Sequence, residues 1–183
     1  LLQSLFGDAT YGASAKACYV TLFDKQVKGN ATAGAKALPM DKWRAKASHG
    51  GHEVKRAFDN DPRSRWTTGT PSFKGMWFEL DLGEMAFLSE VTLDTDASAN
   101  DTPNGCEVFT SNDGKNWSGP VAKCGGDTKN KTVFPLAVSA RYLKFVTLDG
   151  RPGLYWSIHE IKIMSGLDKA KVAEIEKIAD SVR

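Results

Sequence analysis

The middle of the chain alternates between apolar and polar residues in short runs, a pattern typical of half-buried β-strands. The clearest runs are 76–82, 88–93, 107–110 and 142–146, and Gly, Pro, Asn and Asp separate them. Several short strands separated by turn residues indicate an antiparallel sandwich or barrel. We therefore predict an all-β fold for this part of the chain.

The two ends of the chain have different patterns. Residues 1–38 are rich in Ala, Gly and Lys and contain one β-like stretch, 18–23. In the last segment, apolar residues recur at intervals of three and four and Asp168 can cap its start, which predicts an amphipathic helix. We therefore divide the chain into an N-terminal extension (1–38), a β-sandwich (39–165) and a helix or linker (166–183). The extension either adds a strand to the sandwich or belongs to a preceding domain.

The composition is that of an ordinary soluble globular protein, with 41% hydrophobic and 25% charged residues among 183. The net charge of +2 argues against a dedicated nucleic-acid binder, which normally carries a basic stripe. No apolar run approaches the length that spans a bilayer. The chain begins without Met or a signal peptide, so we expect it to be a piece of a longer protein.

The three cysteines, Cys18, Cys106 and Cys124, do not have the spacing of a common zinc site. The segment 110–117 has Asp-Gly at its centre, which predicts a hairpin turn. Folding about this turn places Cys106 opposite Cys124. Two outcomes stay open: a cross-strand disulfide, or two free thiols in the core.

A turn rich in oxygen donors lies at 57–67. Asp59, Asp61 and Ser64 fall within it, and turn-forming residues separate them. Carboxylates and free carbonyls suit a hard cation such as calcium. The alternative is a surface turn in which basic neighbours neutralise the two aspartates, namely Lys55, Arg63 and Arg65.

Five stretches in order make the middle of the chain resemble a discoidin domain, also called the coagulation factor 5/8 C-terminal domain. Within that group the chain is most similar to the family 32 carbohydrate-binding modules, which implies a jelly-roll β-sandwich of the galactose-binding type. No single stretch is specific to this group, but the occurrence of all five in this order over most of the middle segment is. The stretches are 57–67, 77–83, 108–117, 140–144 and 156–161.

The resemblance also implies a structural calcium ion at the acidic turn. Carried over by position, its ligands are the carbonyls of Arg56, Asp61 and His159, the side chains of Asp59 and Ser64, and the carboxylate of Glu160. Such an ion joins the first strand region to the last strand and closes a long loop. One departure is Asn60, where Gly is usual, but Asn tolerates a left-handed conformation.

A sugar site needs an exposed aromatic ring for the apolar face of the sugar and fixed polar groups for its hydroxyls. By resemblance we expect such a site on loops at one end of the sandwich. Its predicted residues are His52, Phe73, Arg151 and Tyr155, with His49 and Asn100 as further candidates. We assign Trp66 and Trp77 to the core, and Trp117 to the base of the hairpin.

The chain contains no nucleophile elbow, P-loop or HExxH motif, and discoidin-like domains are generally non-catalytic. We therefore expect a carbohydrate-binding module that attaches a larger parent protein to a glycan. Its expected partners are that glycan and other domains of the parent chain, in an extracellular, cell-surface or periplasmic location. The alternatives are a protein-interaction or adhesion domain and, ranked lower because its loop tips are mostly small and polar, a domain that binds anionic lipid.

Overall fold

The computed structural model describes residues 34–98, 100–124 and 131–166, which form two antiparallel β-sheets. The larger sheet has the strand order β1-β9-β4-β7-β5-β6, and β2 also pairs with β4; the smaller sheet consists of β3 and β8. The strands are β1 Lys36–Ala37, β2 Arg44–Ala47, β3 Trp66–Thr67, β4 Trp77–Asp94, β5 Cys106–Ser111, β6 Ser118–Cys124, β7 Lys131–Thr147, β8 Ser157–Ile158 and β9 Glu160–Ser165. The predicted all-β, antiparallel, sandwich-like architecture is confirmed for these residues.

Two long strands, β4 and β7, form the centre of the larger sheet. From Trp77 onwards, the apolar runs predicted at 76–82 and 88–93 belong to one strand, β4, whose pairing with β7 shifts register between Asp81 and Ala86. Alternate residues along β4 are buried, as the period-two pattern predicted. The buried face carries Phe78 and Leu80, which lie opposite Phe145 and Leu143 of β7.

Trp66 is fully buried, as predicted, with its ring centroid 4.8 Å from Phe78 and 5.0 Å from Trp156. The assignment of Trp77 to the core was wrong. Since Phe78 points into the core, its neighbour Trp77 lies on the opposite, outer face and is only partly buried. Trp117 is also partly exposed, and the Lys144 ammonium lies between the two rings, 4.8 Å from Trp77 and 5.3 Å from Trp117.

The predicted hairpin joins β5 to β6, and Cys106 lies directly opposite Cys124 in their register. Both residues carry free thiols in this structure. Burial raises the pKa of the Cys106 thiol well above its usual value. The third cysteine, Cys18, lies outside the described residues.

The first and last described strands pair with each other, because Lys36 of β1 lies opposite Ser165 of β9. The described helices are two short 3₁₀ segments, Gly51–Ala57 and Asp96–Ser98. In the described ranges, no helix is long and apolar enough to cross a membrane. The predicted C-terminal helix and the β-like stretch at 18–23 lie outside the described residues.

Candidate functional site

The loop that follows β2 is fixed by hydrogen bonds to core elements. The Ser48 amide donates to the Trp77 carbonyl (2.9 Å), and the Trp77 amide donates to Ser48 Oγ (3.0 Å). The buried Trp66 indole donates from Nε1 to the His49 carbonyl (3.1 Å). Gly50 has a φ of +62°, and a Cβ on it would lie 2.0 Å from the Thr67 carbonyl oxygen. Only glycine therefore lets this loop pack closely on β3.

An exposed aromatic ring lies beside this loop. Phe73 is 51% exposed, and its ring centroid lies 5.3 Å from that of His49 in an edge-on arrangement. His49 Nδ1 lies 3.1 Å from Ser48 Oγ, so the imidazole is oriented by a residue that is itself tied to β4. The Phe73 ring is therefore presented to solvent on a well-supported loop.

The loop that carries Arg151 is joined to the loop that carries Phe73. The Arg151 amide donates to Ser72 Oγ (3.1 Å), and the Ser72 amide donates to the Leu154 carbonyl (2.8 Å). A Cβ on Gly150 would lie only 1.9 Å from the Ser72 carbonyl oxygen, so the two backbones are in close contact. Ser72 thus holds Arg151 next to Phe73.

These contacts bring together His49, Phe73 and Arg151 from the predicted set. Tyr155 is 38% exposed and lies on the same loop as Arg151, while His52 is exposed on the first 3₁₀ segment. Asn100 lies on a different loop, whose next residue, Asp101, is bonded to β8 rather than to the Phe73 loop.

Sequence reasoning missed Ser48 and Ser72, which fasten the loops together. A serine within a loop carries no local signal of such a role, because its partners are 29 and 79 residues away in the chain. The structure is therefore needed to recognise them as residues that position the backbones of the loops that carry His49, Phe73 and Arg151.

The acidic turn is organised around Asp59. Its Oδ1 accepts a hydrogen bond from the Asp61 amide (3.0 Å) and its Oδ2 accepts one from Ser64 Oγ (2.7 Å). Ser64 Oγ also lies 3.3 Å from the Arg56 carbonyl. Asn60 has a φ of +61°, a left-handed conformation that Asn tolerates. The turn thus draws several predicted oxygen donors together.

The alternative of surface ion pairs holds for only one of the two aspartates. Arg63 binds both carboxylate oxygens of Asp61, with Nε–Oδ1 and Nη2–Oδ2 distances of 3.0 and 3.3 Å. This hydrogen bonding lowers the pKa of Asp61. Arg65 instead contacts Ser98 Oγ and approaches Asp101 at 3.8 Å. Asp59 makes no ion pair with another described residue.

Glu160 reaches the turn from the last strand. Its Oε1 is buried and has no hydrogen-bond partner in the described residues. Burial, followed by the charge of Asp59, raises the pKa of Glu160. A buried, unpaired carboxylate oxygen next to a second carboxylate is an arrangement that a cation would relieve. The oxygen atoms near Glu160 are therefore suitable ligands for a hard cation.

The two carboxylates alone do not make a metal centre, since no group of three or more His, Cys, Asp and Glu suited to a metal occurs in the described ranges. A cation here would depend on the hydroxyl and carbonyl oxygens as well. His159, which is buried, holds these parts together: its Nδ1 lies 2.9 Å from the Pro62 carbonyl and its Nε2 lies 3.0 Å from Ser98 Oγ.

Residues 42–161 match the F5/8 type C domain, which covers most of the described sandwich. The chain belongs to the F5/8 type C, or discoidin, family. The resemblance inferred from the five sequence stretches is thereby confirmed. No curated protein is similar enough to this discoidin domain to count as a match.

Solved structures of family 32 carbohydrate-binding modules share the fold of this discoidin domain. One is the family 32 module of NanJ from C. perfringens in complex with galactose. It is 17% identical in sequence with a TM-score of 0.61, and the match covers 72% of this chain and 99% of that one. Another is CpGH89CBM32-5 from Clostridium perfringens in complex with GalNAc-β-1,3-galactose. It is 22% identical with a TM-score of 0.57, and the match covers 70% of this chain and 99% of that one. At these identities the likeness establishes the fold.

A larger enzyme contains the same fold as one of its parts. The family 89 glycoside hydrolase from Clostridium perfringens is 18% identical with a TM-score of 0.56, and the match covers 74% of this chain but 15% of that one. In that enzyme the discoidin-like fold therefore occupies a small share of a much longer chain.

Proposed function

We propose that this discoidin domain is a non-catalytic carbohydrate-binding module that attaches a larger parent protein to a glycan. The observation that carries the proposal is the exposed Phe73 ring, which packs edge-on against His49 on a loop that Ser72 joins to the loop of Arg151. An exposed aromatic ring beside an imidazole, on a loop joined to one that carries an arginine, has the composition of a sugar site.

Each group has a separate part in binding. The exposed face of Phe73 removes the apolar face of a pyranose ring from water. Arg151 and His49 offer hydrogen bonds to the hydroxyls at the edge of the sugar ring, and Tyr155 extends the surface along the Arg151 loop. Because the backbones of these loops are fastened to each other and to the core, little ordering is required on binding.

The relatives support a sugar ligand and an accessory role. Two of the similar structures were solved in complex with galactose and with GalNAc-β-1,3-galactose. A shallow site of this kind binds one sugar weakly, and tethering to a polymer raises the effective concentration for repeated binding. We further propose an extracellular, cell-surface or periplasmic location, where such polymers are accessible.

Isothermal titration calorimetry with galactose and galactose-terminated oligosaccharides tests this proposal. We expect binding without hydrolysis, weakened about tenfold or more by Arg151→Ala or Phe73→Ala. Met85→Ala is the matched control for Phe73, because Met85 is 50% exposed and lies on β4, outside the loops. The choice of galactosides as ligands fails if none of them binds, and the assignment of the site fails if the control variant weakens binding as much as Phe73→Ala does.

We further propose that a structural calcium ion is held by Asp59, Ser64 and Glu160 together with the carbonyls of Arg56, Asp61 and His159. The ion would supply positive charge to the buried Glu160 oxygen and to Asp59, which otherwise repel each other. The chain itself already forms the turn, since Asp59 accepts hydrogen bonds from both Asp61 and Ser64. The test is the effect of Glu160→Gln on thermal stability with and without calcium.

A further inference from the structure

A groove of about 470 Å³ lies on the outer face of the larger sheet. It is separate from the loops that carry His49, Phe73 and Arg151, which form the proposed galactoside site. It runs across β2, β4 and β7 to the turn between β5 and β6. Its side chains lie in register: Arg44, Asp81 and Tyr142 face one another in one row, and Lys46, Glu79 and Lys144 in the next. The groove thus carries an ordered set of charges.

The acidic residues of this groove already have partners. Arg141 binds both oxygens of Asp81 (2.8 and 3.0 Å), and the Lys144 ammonium lies 3.0 Å from Glu79. Asp113 accepts hydrogen bonds from turn amides, including those of Lys115 and Asn116 at 2.8 Å. Asp81 and Glu79 are therefore neutralised by cations of the protein, whereas Asp113 is held by neutral donors and keeps its charge.

Three cations on the walls of the groove have no such partners. Arg44 and Lys46 are exposed on β2, and Lys115 is exposed on the facing turn. None of them makes an ion pair with another residue that the structure describes. Arg44 and Lys46 are two positions apart on one strand face, which separates their Cα atoms by roughly 6.7 Å. On β2 the groove therefore presents two cations, whereas on the facing turn Lys115 lies beside the charged carboxylate of Asp113.

We propose that this groove binds an acidic saccharide, whose anionic groups pair with Arg44, Lys46 and Lys115. Its hydroxyls would lie against the floor, where Asp81, Glu79 and Tyr142 offer acceptors and an aromatic edge. The volume lies within the range of small-ligand sites. Gly114 of the turn lies against the ring of Tyr142, because a Cβ on Gly114 would lie 3.2 Å from it, and the Arg141 guanidinium lies 4.9 Å from the centre of the same ring.

Charge complementarity on a polar floor favours a saccharide over a lipid surface or a protein partner. Side chains that insert into a lipid surface, and the fully buried centre of a protein interface, are both rich in apolar groups. The large exposed hydrophobic residues of the described chain all lie outside the groove, namely Phe73, Met85, Val133 and Tyr155. The site also shares no lining residue with the proposed galactoside site, so the two stand independently.

The test is titration of the whole chain at low salt with a tetrasaccharide of β-linked glucuronate, with neutral cellotetraose of the same linkage as the ligand control. We expect the glucuronate to bind and cellotetraose to bind at least about tenfold more weakly. The double variant Arg44→Ala/Lys46→Ala, and separately Lys115→Ala, should raise the Kd for glucuronate, the double variant by about tenfold. Added salt should weaken binding further.

The charge-matched control is Lys36→Ala/Lys162→Ala, which removes two exposed strand lysines outside the groove. Amide shifts in an NMR titration should concentrate on β2 and on the turn between β5 and β6. The proposal is overturned if glucuronate does not bind, if the control variant loses as much affinity, or if the shifts fall on the 68–75 and 149–156 loops instead. Binding of galactosides should be unchanged in Arg44→Ala/Lys46→Ala, so failure of one site is distinguishable from failure of the other.

Discussion

Glu160→Gln should change the stability of the domain in opposite directions depending on calcium. The substitution keeps the size of the side chain and removes its charge. In the presence of a chelator, the native protein has a carboxylate oxygen that is buried without a partner and is repelled by Asp59. Replacing it with a neutral amide removes that repulsion, so we expect the variant to be more stable than the native protein under chelation.

The expected magnitudes follow from the two opposing effects. A buried unsatisfied polar group costs about 1–3 kcal/mol, and the amide stays partly unpaired, so a gain of about 1 kcal/mol is expected with chelator. With calcium about 100-fold above its Kd, the ion stabilises the native protein by about 2.7 kcal/mol, most of which the variant would lose. The variant should therefore be about 1.5 kcal/mol less stable than the native protein in calcium.

Differential scanning calorimetry with and without chelator measures this reversal. For a domain of this size, each kcal/mol corresponds to about 3 °C in Tm. Glu84→Gln is the matched control, because Glu84 is exposed and forms only a surface ion pair with Lys42. An equal Tm offset in both conditions would contradict the calcium assignment, and so would a variant that is less stable in both.

Three further predictions concern the groups that hold the loops and the outer face. Gly50→Ala should lower the free energy of unfolding by more than about 2 kcal/mol in chemical denaturation, because Gly50 has a left-handed φ and contacts β3. Its control, Gly51→Ala, should change this free energy by less than about 0.5 kcal/mol, because the space around Gly51 is open. Ser72→Ala should leave the Arg151 amide without its acceptor and lower the free energy of unfolding by about 1 kcal/mol. It should also weaken galactoside binding about fivefold, as measured by calorimetry. Unchanged binding would contradict the positioning role of Ser72. Hydrogen bonds from Arg141 lower the pKa of Asp81. Asp81→Asn should therefore lower the free energy of unfolding at neutral pH, by only about 1 kcal/mol because the Arg141 side chain is 38% exposed and solvent screens the pair. That difference should persist above the ordinary pKa of about 3.9 and disappear as pH falls through the lowered value, as measured by urea denaturation from pH 7 downwards.

The strands could be predicted from sequence because their signal is local. Alternation of apolar and polar residues marked β4, β5 and β7, and the Asp-Gly turn fixed the hairpin that sets Cys106 opposite Cys124. The face of Trp77 could not be predicted with the same rule, because Met76, Trp77 and Phe78 are three consecutive large apolar residues. Only the pairing of β4 with β2 and β7 determines which of them points inwards.

The candidate site was predictable in its residue types but not in its grouping. Aromatic and basic residues on loops pointed to His49, Phe73 and Arg151, yet nothing local distinguished them from Asn100. What separates them is a set of long-range hydrogen bonds, such as the one between Ser72 and the Arg151 amide. Likewise, the unpaired oxygen of Glu160 depends on how tightly the last strand packs against the turn, which side-chain identity does not reveal.

The pairing of β1 with β9 has a mechanical consequence. The two strands are antiparallel, and Gly34 and Gly166 meet so closely that a Cβ on Gly166 would lie 2.3 Å from the Gly34 carbonyl oxygen. A force that separates these two points acts across the strand pair, so it breaks the hydrogen bonds one after another instead of loading them together. Tension applied there would open the sheet from this edge, and β1, only two residues long, would be the first strand to detach.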